Sequence, residues 1–201
     1  MYQGRVKYNM GYYSYCPVCQ NKNNLKSFSW GSYNIKHCSY CKLDYCSEML
    51  EKEIGGNSSP VPIKGIDMMT KSFYKTDKLA LKYATKRKII YEKLLNRSCT
   101  RILEVGCGPG VFYKPWMDQN VKWKGIDINS YWTRFGTKNQ IPISNQSLES
   151  ITEKFDVITA HQVIEHIENP ITFMEKLKIL LNPGGLIHLE LPNQNSFTSR
   201  L

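Results

Sequence analysis

The second half of the chain alternates between short apolar runs and polar or glycine-rich breaks. "RILEVGCGPG" (101–110) opens with a short apolar run, Ile102–Val105, broken only by Glu104, then breaks into Gly106, Gly108 and Gly110. Such a run suits a parallel strand buried on both faces, and the glycines suit a tight turn before a helix. "WKGIDIN" (123–129) reads as a second strand ending at Asp127, "IPISNQSLES" (141–150) as a third strand and loop, and "FDVITA" (155–160) as a fourth. "NPITFMEKLKILLNPGG" (169–185) reads as a helix stopped by Pro-Gly-Gly, and "LIHLELPN" (186–193) as a fifth strand. Strands separated by helical patterns predict an α/β fold with a Rossmann-like parallel sheet.

The first half has a different pattern. "EKEIGGNSSPVPIKG" (51–65) is rich in Gly, Ser and Pro and reads as a linker. In "KSFYKTDKLALKYATKRKIIYEKLL" (71–95), Phe73, Leu79, Tyr83, Ile90 and Leu94 predict the apolar face of one or two amphipathic helices, with lysines on the polar face. Before the linker, Cys16 and Cys19 form one C-x2-C pair and Cys38 and Cys41 another, with 18 residues between the pairs. Two such pairs close a tetrahedral thiolate site, and zinc is the expected metal. Iron suits the same four sulfurs, and two disulfides are the other alternative. With four protein ligands the zinc would be structural, in a zinc-ribbon-like module whose folding the metal supports. His37, beside Cys38, is a spare ligand, and Cys46, Cys99 and Cys107 read as small buried or half-buried residues.

Composition adds two constraints. The 201 residues, 41% of them hydrophobic, suffice for one full core plus a small module. No apolar run reaches the ~20 residues that span a bilayer, and the N-terminus lacks an apolar signal region, so a cytoplasmic protein is expected. The net charge of +10 sits in residues 1–100, with 17 Lys/Arg against 7 Asp/Glu, whereas 101–201 balance at 10 of each. That asymmetry suits either an anionic partner or a solvated lysine-rich surface.

Taken together, "LEVGCGPG", "GIDIN", "FDVITAHQVIEHIENP" and "LNPGGLIHLELPN" resemble the class I S-adenosylmethionine-dependent methyltransferases over roughly residues 100–195. The likeness is to the branch holding ubiquinone-biosynthesis O-methyltransferases and bacterial small-molecule and sugar methyltransferases. Some members carry a four-cysteine zinc module ahead of that domain. The resemblance implies a zinc-ribbon-like module over 1–50, a linker over 51–70, a basic helical connector over 71–98 and a cofactor-binding domain over 99–201. It implies a seven-stranded sheet, of which five strands are legible here; a fragment or a sheet edge completed otherwise would explain that.

The resemblance also implies roles. Gly106, Gly108 and Gly110 would cradle the methionine end of S-adenosyl-L-methionine, with the following helix N-terminus favouring its carboxylate. Glu104 would attract the cofactor's ammonium group. Asp127 would hold the ribose hydroxyls, Ile128 would lie beside the adenine, and Ser147 and Leu148 at its edge. His161 would lie near the transferred methyl, as a contact to cofactor or acceptor or as a base. The expected acceptor is a small molecule or glycan, possibly phosphorylated, methylated at oxygen or carbon. An RNA-modifying enzyme that grips RNA through the basic half, or a non-catalytic zinc-ribbon interaction module, are the alternatives. "AHQV" stands where enzymes that methylate exocyclic base amines carry Asn-Pro-Pro-aromatic, which argues against that chemistry.

"HQVIEHIENP" (161–170) has the density of a metal site. Its histidines are five apart, about 140° around a helix, and cannot share a face. Ubiquinone-type enzymes bind a divalent ion through Glu-x-x-Glu-His, matched here by Gln162, Glu165 and His166. The amide of Gln162 is a poorer ligand for a hard cation, so the expectation is that Glu165 and His166 support a local helix.

Overall fold

A computed structural model describes residues 14–30, 33–46 and 77–192. The linker over 51–70 and Phe73 lie outside the described residues. The chain divides into two compact units, one of Met1–Gly55 with Glu168–Ile171 and a larger one covering Gly56–Ile167 and Thr172–Leu201.

In the smaller unit, β1 (Leu25–Trp30), β2 (Tyr33–Cys38) and β3 (Asp44–Cys46) form an antiparallel sheet in the order β1-β2-β3. The two cysteine pairs sit on matching turns. In one, Cys16 N–H donates to Asn21 O and Gln20 N–H to Cys16 O. In the other, Cys38 N–H donates to Leu43 O and Lys42 N–H to Cys38 O. Gln20 and Lys42 both take positive φ, 57° and 64°, four residues after the first cysteine of their turns.

The larger unit is a parallel sheet with helices on both faces. Its strands are β4 (Arg101–Val105), β5 (Lys122–Ile126), β6 (Ile143–Ser144), β7 (Phe155–His161) and β8 (Leu181–Glu190). They lie in the order β6-β5-β4-β7-β8, and every neighbouring pair is parallel. Successive residues feed opposite cores: Ile102 and Val157 join one, Leu103 and Ile158 the other. The first core takes side chains from α1 (Asp77–Leu95), α2 (Tyr113–Met117) and α3 (Ser130–Asn139). The second takes Phe173 and Leu177 from α4 (Pro170–Ile179). This is the Rossmann-like α/β sheet that the apolar runs predict.

Four details differ from the sequence reading. The buried face of α1 is Ala80, Ala84 and Tyr91, whereas Leu79, Tyr83, Ile90 and Leu94 are exposed. The two sets have the same spacing but stand one residue apart, about 100° around the helix. The small alanines let α1 pack closely, and Tyr91 stacks on Trp116 with ring centroids 6.1 Å apart. Secondly, the third strand is only two residues long. Thirdly, α4 ends at Ile179, and Pro183, Gly184 and Gly185 lie inside β8 at an irregularity in its pairing with β7. There the pairing jumps from Phe155 opposite Leu181 to Val157 opposite Leu186. Finally, α3 was not legible in the sequence. Asn129 caps it through a 2.9 Å bond from Tyr131 N–H, but Gly136 and Thr133 weaken its helical signal.

One buried carboxylate ties the amino end of the sheet together. Asp156 Oδ2 accepts from Thr100 N–H at 2.8 Å, Thr100 Oγ1 at 2.9 Å and Arg101 N–H at 3.0 Å. Asp156 Oδ1 accepts from Arg97 at 2.5 Å and Asn182 Nδ2 at 2.9 Å. Burial alone would raise the Asp156 pKa, but the bonds from Thr100, Asn182 and Arg97 outweigh it and hold the carboxyl well below the usual range. Asp156→Ala should cost about 3 kcal/mol in urea unfolding at pH 7, because Arg97 and two backbone donors lose their partner. The folded pKa lies below the unfolded one, so this stability is present above the ordinary carboxylate pKa and lost as pH falls through the depressed value. The gap between wild type and variant should therefore narrow below about pH 4.

Candidate functional site

The sheet register assembles the site. Val105 pairs with Ile126 on one side and Ala160 on the other, and Ala160 pairs with Leu189. The next residues, Gly106, Asp127, His161 and Glu190, therefore stand side by side at the carboxyl ends of four adjacent strands. The chain runs outward to β6 from one side of β4 and returns as β7 on the other. Open α/β sheets bind their ligands at such a switch point.

The glycine loop is shaped by three positive φ angles: 66° at Gly106, 52° at Gly108 and 72° at Gly110. A Cβ on Gly106 would lie 2.5 Å from Val163 Cγ2, and one on Gly110 would lie 2.9 Å from Ile141 Cγ2. A Cβ on Gly108 would meet nothing within 4 Å. Gly106 and Gly110 are thus fixed by packing, while the Cα face of Gly108 is open. The loop leads into α2, which is a single turn. Its dipole is small, so the charge expected at a helix N-terminus contributes little here.

Asp127 is half-buried beside this loop. Its Oδ2 accepts from Gly108 N–H and its Oδ1 from Asn129 N–H, at 2.9 and 2.8 Å. Burial raises its pKa, and these two bonds oppose that. Each carboxylate oxygen keeps a further lone pair for a ligand hydroxyl. Ile128 follows and is exposed. Asn145, which the sequence reading missed, donates to the carbonyls of Asp127 and Ile128 at 2.8 and 2.9 Å and clamps this corner. Ser147 is exposed at the start of a 3-10 turn over Leu148–Ser150, and Leu148 is half-buried.

Glu104 is buried beneath the loop and accepts from Trp123 Nε1 at 2.7 Å. Burial pushes its pKa up to about 7, against the pull of that N–H bond. A carboxylate kept this dry favours a cationic partner. Its Oε1 lies 3.8 Å from His161 Nδ1. His161 Nε2 is buried with no hydrogen-bond partner among the described residues. Burial, then the nearby Arg87 charge, lowers the His161 pKa to about 4, so the ring is neutral at pH 7.

Around His161 lie residues that the sequence reading did not single out. His188 stacks edge-on against it at 5.4 Å, and so does Phe112 at 5.8 Å. Tyr91 Oη lies 2.5 Å from His188 Nδ1. Arg87 is bonded to Glu190 and lies 5.0 Å from the Phe112 ring centre. Only the three-dimensional pairing of β7 with β8 and the packing of α1 bring these side chains together. The local helix that Glu165 and His166 were expected to support is a 3-10 turn over Ile164–His166: His161 ends β7, and Glu165 and His166 are exposed.

In the smaller unit, Sγ of Cys16 lies 3.5 Å from that of Cys41, and Sγ of Cys19 lies 3.6 Å from that of Cys38. All four sulfurs are within 4.8 Å of one another. Four Zn–S bonds of ~2.3 Å in a tetrahedron place sulfurs about 3.8 Å apart, so the set fits one ion. His37 is engaged elsewhere, through a 2.6 Å bond between Nδ1 and Asp44 Oδ1.

A family model described as "Methyltransferase domain" matches residues 74–201. A ubiquinone biosynthesis O-methyltransferase of Cereibacter sphaeroides is 24% identical over 165 residues, covering 77% of this chain and 53% of the relative. The chain thus spans about half the length of the curated relatives it matches. The solved plantazolicin methyltransferase BpumL in complex with SAH aligns with a TM-score of 0.60 and 22% identity, over 73% of this chain and 59% of that one. SAM-bound CalS10, an amino pentose methyltransferase from Micromonospora echinaspora, aligns with a TM-score of 0.50 and 15% identity, over 57% and 51%.

The loop packing makes a stability prediction. Gly108→Ala should cost about 1 kcal/mol, the strain of a left-handed alanine. Gly110→Ala should cost about 3 kcal/mol, because that strain adds to a clash with Ile141. Urea unfolding of the two variants checks the order.

Proposed function

We propose methyl transfer as the function of this chain, because the chain belongs to the class I S-adenosylmethionine-dependent methyltransferases. The observation that carries the reading is the alignment of Glu104, the glycine loop and Asp127 at the carboxyl end of β4 and β5. These residues fit S-adenosyl-L-methionine. Glu104 takes the ammonium group, and the open Cα face of Gly108 lets the methionine end approach the loop between Gly106 and Gly110. Asp127 takes the ribose hydroxyls, Ile128 flanks the adenine, and Ser147 and Leu148 border it. The cofactor, when bound, supplies a methyl group already activated on a sulfonium.

The acceptor approaches from the β7–β8 side, where His161 is the catalytic candidate. Its neutral ring and unpartnered Nε2 suit a hydroxyl-bearing small molecule or glycan, which favours O-methylation over C-methylation. With the cofactor bound, an acceptor hydroxyl would take the methyl as the methyl–sulfur bond breaks with its electron pair on sulfur, and its proton would leave toward His161. It passes to Nε2 or to a group that Nε2 holds. The names of the O-methyltransferase relative and the amino pentose enzyme are consistent with such acceptors. The four cysteines hold a structural zinc ion that fixes the two matching turns. Among the described residues no helix is long and apolar enough to cross a membrane.

Calorimetry tests the cofactor site. Asp127→Ala should weaken S-adenosylmethionine binding by roughly 10- to 100-fold, the worth of one or two charge-assisted hydrogen bonds. Unchanged affinity would refute the assignment. A screen of glycan, quinone and RNA acceptors with labelled donor then identifies the substrate class. Elemental analysis should give one zinc per chain, lost in Cys38→Ser. Iron at that stoichiometry, or no metal, would overturn the zinc assignment.

A further inference from the structure

His161, His188 and Glu190 each offer a ligand atom, and these atoms lie within 4.8 Å of one another. His161 and Glu190 are register partners on β7 and β8, and His188 sits two residues before Glu190, on the same face of β8. His188 Nε2 lies 3.5 Å from Glu190 Oε1. Octahedral bonds of about 2.1 Å put neighbouring ligands roughly 3.0 Å apart; the His188–Glu190 pair is wider by about half an ångström, and His161 closes the set within the 4.8 Å limit. From this geometry we infer that the three side chains form a site for a divalent first-row transition-metal ion, distinct from the four cysteines.

A second observation supports it. Histidines that ligate metals engage their other ring nitrogen with a supporting group, which orients the ring. His188 is arranged that way, and His161 turns Nδ1 toward a carboxylate. His188 Nδ1 lies 2.5 Å from Tyr91 Oη, leaving Nε2 toward Glu190. His161 Nδ1 faces Glu104 at 3.8 Å, and Nε2 is buried without a partner. Two imidazoles and one carboxylate form a borderline ligand set, suited to manganese, iron, cobalt or zinc rather than calcium, and leave coordination positions open. The opposing feature is Arg87, whose guanidinium is bonded to Glu190. A bound ion must share that carboxylate with Arg87 or displace it.

The inference rests on the methyl-transfer reading only for its consequence. An ion at this place would hold an acceptor hydroxyl and make it more acidic. His161 is then a ligand, and the hydroxyl proton leaves to water as the oxygen takes the methyl.

Manganese(II) is the probe, because thiolates bind it poorly and the cysteine site stays zinc-loaded. Free Mn2+ is followed by electron paramagnetic resonance as the full-length protein is added, and pulsed measurements read nitrogen couplings from imidazole ligands. One Mn2+ per chain with imidazole couplings is expected. His188→Gln and Glu190→Gln should each weaken it at least tenfold while S-adenosylmethionine affinity holds. Arg87→Gln should tighten it by removing the competing cation. A wild type that binds S-adenosylmethionine but leaves Mn2+ free would overturn the metal site and spare the methyl-transfer reading. Mn2+ binding that keeps its affinity in both β8 variants would also overturn the site.

Discussion

The parallel register of β5, β4, β7 and β8 is the constraint on which the functional site depends. It sets Gly106, Asp127, His161 and Glu190 at neighbouring strand ends. Their separation in sequence spans more than eighty residues, yet the ladder leaves them no other arrangement. A parallel sheet needs both faces covered, and the alternate residues of each strand supply the two cores. The same register places Asp156 at the opposite end, where one carboxylate binds the residues leading into β4 and Asn182 of β8. The amino ends are thus pinned by charge-assisted hydrogen bonds, and the carboxyl ends are free to carry chemistry.

The site divides its electrostatics between two sides. On the β4–β5 side a buried acid, a half-buried acid and a glycine loop with an open Cα face at Gly108 face one another, a setting for a ligand with a positive end and hydroxyls. On the β7–β8 side neutral imidazoles meet a carboxylate already engaged by Arg87. Glu104 joins the sides: it accepts from Trp123 on β5 and faces His161 on β7. Trp123 thereby serves packing and site at once, with its ring in the core and its N–H on Glu104.

Most of the sheet was legible in the sequence, because fully buried strands write themselves as apolar runs bounded by glycine or charge. The glycine loop and Asp127 were legible for a related reason: a glycine loop and an acid ending the next strand are local signals. What sequence could not show was orientation. Leu79, Tyr83, Ile90 and Leu94 outweigh Ala80, Ala84 and Tyr91 on any hydrophobicity count, yet close packing favours the alanines. The Pro-Gly-Gly segment looked like a helix stop and is an irregular start to β8. Arg87, Tyr91, His188 and Glu190 carry no motif at all. Their meeting follows from a helix face and a strand pairing, neither of which a linear pattern fixes.

The central claim is that the loop after β4 and the corner after β5 close on one ligand, S-adenosylmethionine. Amide hydrogen exchange with and without that cofactor tests this most directly. Cofactor binding should slow exchange at the amides of residues 104–112, 126–129 and 145–148 alone, with the three-stranded N-terminal unit unchanged. Uniform rates throughout those segments at saturating cofactor, or protection confined to the N-terminal unit, would contradict it.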